Sequence, residues 1–125
     1  MTKTDTSLLT GVSHLVLKVS DLDASVAWYR DALGLEAFRR EPTGLVGMRS
    51  ASGFQVGLFT GGQPNNSGAL DHIAFTVSDL DALTAWADHL TAIGIAHEGI
   101  KPNPFGHSID LFDPDGNNIE LVSEA

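Results

Sequence analysis

Residues 14–28, HLVLKVSDLDASVAW, return as residues 72–86, HIAFTVSDLDALTAW, at a constant offset of 58 with nine of fifteen positions identical. In a chain of mixed composition, self-similarity on that scale marks a duplicated supersecondary unit. Each copy opens on alternation: Leu15, Leu17 and Val19 against His14, Val16 and Lys18, then Ile73, Phe75 and Val77 against His72, Ala74 and Thr76. That is a strand with its histidine on the less apolar face. Ser20 and Ser78 are the expected helix N-caps, with aspartates next to them that suit the positive helix terminus. Leu22, Val26, Tyr29 and Leu33 form one helical stripe, Leu80, Leu83, Ala87 and Leu90 the other, and Gly34 and Gly94 end the helices.

Outward from the repeat, short strands are expected over Leu35–Arg40, Leu45–Ser50 and Phe54–Phe59, and over Ile95–Gly99, His107–Phe112 and Asn118–Val122. Each module therefore reads βαβββ. Asp113, Pro114, Asp115 and Gly116 make a hairpin turn, since proline presets its backbone angle and glycine accepts positive φ. The expected pairing is Asp113 with Asn117, Phe112 with Asn118 and Asp110 with Glu120. The 125 residues suit one domain, divided as a loose tail over 1–10, a first module over 11–60, a turn-rich linker over 61–68 and a second module over 69–125. Its class is α+β: two βαβββ modules forming a curled, eight-stranded mixed sheet, a cup with the helices outside.

There is no cysteine, which removes disulfides, thiolate nucleophiles and zinc-thiolate sites. Seven basic residues against sixteen acidic ones give a net charge of −9, repelling nucleic acid and anionic lipid alike. No apolar run approaches the roughly 20 residues that cross a bilayer. A soluble, cytoplasmic protein acting on a small molecule is expected, with neither nucleic acid nor membrane as partner. Any metal must be held by His, Asp or Glu.

His14 and His72 stand at matched positions, so pseudo-twofold packing of the modules brings two imidazoles to one concave surface. Glu120 lies in an otherwise apolar last strand, where a carboxylate is costly to bury unless paired or bound to a cation. Two imidazoles and a carboxylate leave coordination positions open and suit Fe(II), Mn(II) or similar ions. Phe59 and Phe112 are candidates to line the cup. His89, His97 and His107 are expected to be exposed or structural, and Trp28 and Trp86 to be packing residues. Residues 101–106 form either a rim over the pocket or a connecting loop.

The modules His14–Gly34 and His72–Gly94, with the terminal DPDGNNIEL of residues 113–121, resemble the vicinal oxygen chelate superfamily of glyoxalases, bleomycin resistance proteins and extradiol dioxygenases. The resemblance implies a cup around a divalent cation that chelates neighbouring substrate oxygens, with His14, His72 and Glu120 at three ligand positions. Fe(II) or Mn(II) is favoured; Zn(II) and Ni(II) are the alternatives. Gly57 falls where glyoxalases carry a fourth ligand; Gln55, two residues away on the same face, is displaced by about 7 Å along the strand and is a candidate to contact the substrate. The resulting facial triad implies an extradiol-dioxygenase-like enzyme. A glyoxalase I-type lyase or isomerase is the alternative, and a ligand-sequestering protein of the bleomycin resistance type is a further one.

Asp110 stands where extradiol dioxygenases of this pattern usually carry a tyrosine, so it is the candidate acid or base. Lys18, the only cation on the inferred face of the first strands, is the candidate to orient an anionic group. A homodimer is expected, its cups closed within each chain or by exchange of modules between chains.

Overall fold

The computed structural model describes Leu9 and residues 11–62 and 70–124. The expected tail over 1–10, Leu9 apart, and most of the expected linker, residues 63–68, lie outside the described residues. The first module runs β1 (His14–Val19), α1 (Leu22–Leu33), β2 (Glu36–Arg40), β3 (Val46–Arg49) and β4 (Gln55–Thr60). The second runs β5 (His72–Val77), α2 (Leu80–Ala92), β6 (Lys101–Asn103), β7 (Gly106–Phe112) and β8 (Asn118–Ser123). The eight strands form two four-stranded mixed sheets, ordered β1-β4-β3-β2 and β5-β8-β7-β6. In each, the first strand runs parallel to the last and the remaining pairs are antiparallel. Among the described residues no helix is long and apolar enough to cross a membrane.

Alternation sends Leu15, Leu17, Met48, Val56 and Leu58 toward α1, and Ile73, Ile109, Leu111, Ile119 and Leu121 toward α2, so each helix covers one face of its own sheet. The N-caps are Asp21 and Asp79, one residue beyond the serines expected: their carboxylates accept from the amides of Ala24 (3.0 Å) and Ala82 (2.8 Å). An ionised carboxylate accepts more strongly than a hydroxyl, and Ser20 is then free for another partner. Helix α1 ends at Gly34 with φ 70°. Leu80, expected in the α2 stripe, is the first residue of the helix and is 43% exposed.

The terminal hairpin has the expected register, including Asp110 opposite Glu120, and Gly116 takes φ 81°. The β3–β4 turn repeats its hydrogen bonds: Ser50 and Gly53 stand where Asp113 and Gly116 stand in the other module. One expected strand is displaced. Residues 95–99 are irregular, and the edge strand is instead β6, within the segment expected to be a rim or loop. The Asn103 side chain explains its end by accepting from the amides of Phe105 (2.7 Å) and Gly106 (2.8 Å).

A polar latch joins the modules. The buried Tyr29 hydroxyl donates to Asp113 at 2.7 Å, and Ser20 donates its amide (3.1 Å) and hydroxyl to Asp115. Both aspartates are buried, at 5% and 1% exposure, and Asp113 also accepts from Asp115 N, Asn117 N and Asn117 Nδ2. Burial raises the Tyr29 pKa far above its ordinary 10.0, and the charges of Asp113 and Asp115 and the bond to Asp113 add to the shift. The matched positions of the other junction hold Ala87, Ser50 and Ser52, and there a cleft of about 330 Å3 remains, bounded by Phe54, Phe75 and Trp86.

Candidate functional site

Each helix covers one face of its sheet, and the candidate side chains lie on the other. In the second sheet the register places His72, Asn118 and Phe112 in one row, and Ala74, Glu120 and Asp110 in the next. His72 Nε2 lies 3.9 Å from a Glu120 carboxylate oxygen, with the two side chains 42% and 20% exposed. Asp71, the residue before the histidine, accepts from His72 Nδ1 at 2.7 Å. That bond sets the tautomer and turns the Nε2 lone pair outward, as second-sphere carboxylates do for metal-binding imidazoles. It also raises the His72 pKa above its ordinary value, helped by the charges of Glu120, Asp71 and Asp110 against a smaller effect of burial.

His14 is presented in the same way. Its Nδ1 is hydrogen-bonded to the Ser13 hydroxyl at 2.9 Å, which leaves Nε2 directed outward. Its row across the first sheet is His14, Gln55, Arg49 and Glu36; the next rows pair Val16 with Gly57 and Gly47, and Lys18 with Phe59. Gly57 is closed to a fourth ligand, since a Cβ there would lie 3.2 Å from the side chains of both Leu45 and Val16. Gln55, Lys18 and Phe59 share the open face, as expected.

The structure brings His72, Glu120 and Asp110 together but does not bring His14 to them. Among the described residues, no three His, Asp or Glu side chains are placed to hold a metal ion. Asp110 and Phe112 line a cleft of about 370 Å3 with Ala96, His97, Glu98 and Asn118. His97 is structural: its Nδ1 accepts from the Gly99 amide at 3.0 Å, and its Nε2 bonds Thr91 at 2.9 Å. His89 bonds the Asp31 carbonyl, and His107 points to the helix side of its sheet, opposite Ser123. Trp28 and Trp86 pack against the core.

Lys18 is not the only cation on the first open face. A β-bulge between Ala37 and Arg39 puts both Phe38 and Arg39 on that side, over Gly47, whose missing Cβ would meet the Phe38 ring at 3.2 Å. The Arg49 guanidinium lies over that ring, 4.9 Å from its centroid, and Arg39 is 5.9 Å from it. The alternation of residues 36–40 gives no sign of a bulge, which is why these residues escaped the sequence. The two modules also differ in charge. Residues 11–60 carry five basic and five acidic side chains, whereas residues 69–125 carry one basic and ten acidic. Val16 and Phe112, 51% and 60% exposed, are apolar patches on their open faces.

The model of the Glyoxalase/Bleomycin resistance protein/Dioxygenase superfamily matches residues 11–121. The chain is 33% identical over 120 residues to the uncharacterized protein PA2024 of Pseudomonas aeruginosa, covering 88% of this chain and 86% of that protein. It is 29% identical over 117 residues to metapyrocatechase of a Pseudomonas species, covering 89% of this chain but 37% of that enzyme. Among solved structures, lactoylglutathione lyase from Agrobacterium tumefaciens superposes with TM-score 0.76 at 27% identity, over 92% of this chain and 94% of that one. A mutant of the fosfomycin resistance protein FosX from Listeria monocytogenes, complexed with Mn(II) and 1S,2S-dihydroxypropylphosphonic acid, shares the fold with TM-score 0.72 at 23% identity, over 90% and 89% of the two chains. With the duplicated module, the two mixed sheets and a family model spanning nearly the whole chain, this protein belongs to the Glyoxalase/Bleomycin resistance protein/Dioxygenase superfamily.

Proposed function

We propose that the protein is a metal-dependent enzyme acting on a small substrate with adjacent oxygens, its cation held by His14 of one protomer and by His72 and Glu120 of a second. One observation carries this: His72 and Glu120 form a donor pair with the imidazole tautomer set by Asp71, while the matching His14 stands on the other sheet with no third donor in reach. Two imidazoles and a carboxylate fit Fe(II) or Mn(II), with Zn(II) and Ni(II) as alternatives. A first module of zero net charge meets the strongly acidic second module of another copy without the repulsion that two acidic modules would have, and that pairing covers Val16 and Phe112.

A bound divalent cation supplies Lewis acidity toward two neighbouring substrate oxygens. Phe59 and Phe112 bound the flat faces of a planar substrate, and Lys18 and Gln55 offer it hydrogen bonds. Asp110, in the same row as Glu120, accepts the proton released when a substrate hydroxyl is engaged and returns it to product. Because Gly57 adds no fourth ligand, the three protein donors would leave room for a second small molecule beside the substrate. Extradiol ring cleavage is therefore the leading activity, consistent with the likeness to metapyrocatechase. A glyoxalase I-type isomerisation is the second reading, favoured by Asp110, since a carboxylate suits proton transfer between neighbouring carbons.

Metal content after purification without chelator, together with oxygen uptake on a catechol panel, tests the assignment. Bound metal with oxygen uptake supports ring cleavage, metal without uptake favours the isomerase, and no metal under any loading condition sinks both and leaves a sequestering protein. Mixing His14→Ala with His72→Ala protein is expected to restore one intact site per mixed dimer. Absence of recovery would place the cup within a single chain.

A further inference from the structure

We propose that Arg49, seated on Phe38, selects a carboxylate on the substrate, so that the compound accepted is a planar one carrying an anionic group as well as its adjacent oxygens. This rests on the proposed function for where the substrate lies and adds the class to which it belongs. His14 and Arg49 share one row of the first sheet, separated by the strand carrying Gln55. At about 4.8 Å per strand their backbones stand roughly 10 Å apart, a span suited to a single ring held at one end by its oxygens and at the other by an anion.

The seat is built rather than incidental. The bulge in β2 turns the Phe38 ring onto the open face, Gly47 vacates the space beneath it, and the Arg49 guanidinium lies above. A guanidinium over a ring face gains a cation–π contact and keeps its N–H fork for a carboxylate. Its neighbours do not use that fork. Arg39 is paired with Glu41 at 3.6 Å. Arg49 has no ion pair among the described residues, although Glu36 stands opposite it in register. In a protein of net charge −9, a stacked and uncommitted arginine offers an anionic ligand on this face a planar, bidentate partner that Lys18 cannot supply.

The test compares catechol with 3,4-dihydroxybenzoate on the dimer loaded with Zn(II), which has no redox chemistry and leaves both probes intact. Calorimetry is expected to show the carboxylated probe binding roughly tenfold tighter, as one charge-assisted bidentate contact implies. Arg49→Met should bring the two affinities close to parity and Arg49→Lys should restore part of the difference. In a parallel arm without metal, benzoate should move the Arg49 Nε–H resonance, identified by its loss in Arg49→Met, whereas neutral benzamide should not. Equal affinities in the parent protein, a preference that survives in Arg49→Met, or a resonance indifferent to benzoate would overturn the proposal. If neither catechol binds while benzoate alone still moves the resonance, the carboxylate seat stands and the adjacent-oxygen assignment falls.

Discussion

Asp71 and Tyr29 show how single side chains set the chemistry of their neighbours. Asp71 is fully accessible, so Asp71→Ala leaves the fold alone and removes only the bond that fixes the His72 tautomer; metal affinity should drop by about 10–100-fold, as for other second-sphere partners. Competition with a chromophoric chelator measures this, and an unchanged affinity would deny Asp71 the role. Tyr29 is the only tyrosine in the chain, so the growth of phenolate absorbance with pH reads it alone, since the two tryptophans do not ionise. With its pKa raised above 10.0, the folded state holds the phenolic proton more tightly than the unfolded state. The resulting stability is complete below the ordinary value and falls as pH climbs above it. Ionisation should therefore appear only together with unfolding, and a phenolate signal in still-folded protein would contradict the latch. Tyr29→Phe should lower unfolding free energy by about 1–3 kcal/mol, since Asp113 stays buried with one donor fewer.

At the scale of elements, the turns carry testable strain. Gly53 has φ 97° with nothing within 4 Å of where a Cβ would lie, so Gly53→Ala isolates the backbone cost and should destabilise by about 1–2 kcal/mol in urea unfolding. The turn at Gly116 was legible in the sequence, because proline and glycine at hairpin positions have a strong local cause. So were both helices and the register that sets Asp110 opposite Glu120. Strand β6 was not: the segment expected as a strand, Ile95–Gly99, is held irregular by the hydrogen bonds of His97 to Thr91 and Gly99. The bulge at Phe38 was equally hidden, because an extra residue on one strand is decided by its partner strand and by the space above Gly47, neither of which is local.

Across the whole molecule, duplication made the matched placement of His14 and His72 on the open faces of the two sheets readable, whereas Glu120, whose counterpart in the first module is Gly57, was read from its own strand alone. Whether the two faces meet within one chain or between copies was not readable, because that depends on how the latch orients the modules. If the cup closes between chains, two copies that each carry a net charge of −9 repel one another, and that repulsion should weaken as salt shortens the screening length from about 10 Å at 0.1 M to about 3 Å at 1 M. Sedimentation should then show the dimer dissociating less readily at high salt. A salt-independent association would mean that apolar contact at Val16 and Phe112 dominates instead. The latch also bears on biogenesis. Its two parts are 84 and 95 residues apart along the chain, and the aspartates lie in the β7–β8 hairpin of the second module. A nascent chain that has released only the first module holds Ser20 and Tyr29 without these partners, so the latch cannot fix the arrangement of the modules until that hairpin has emerged.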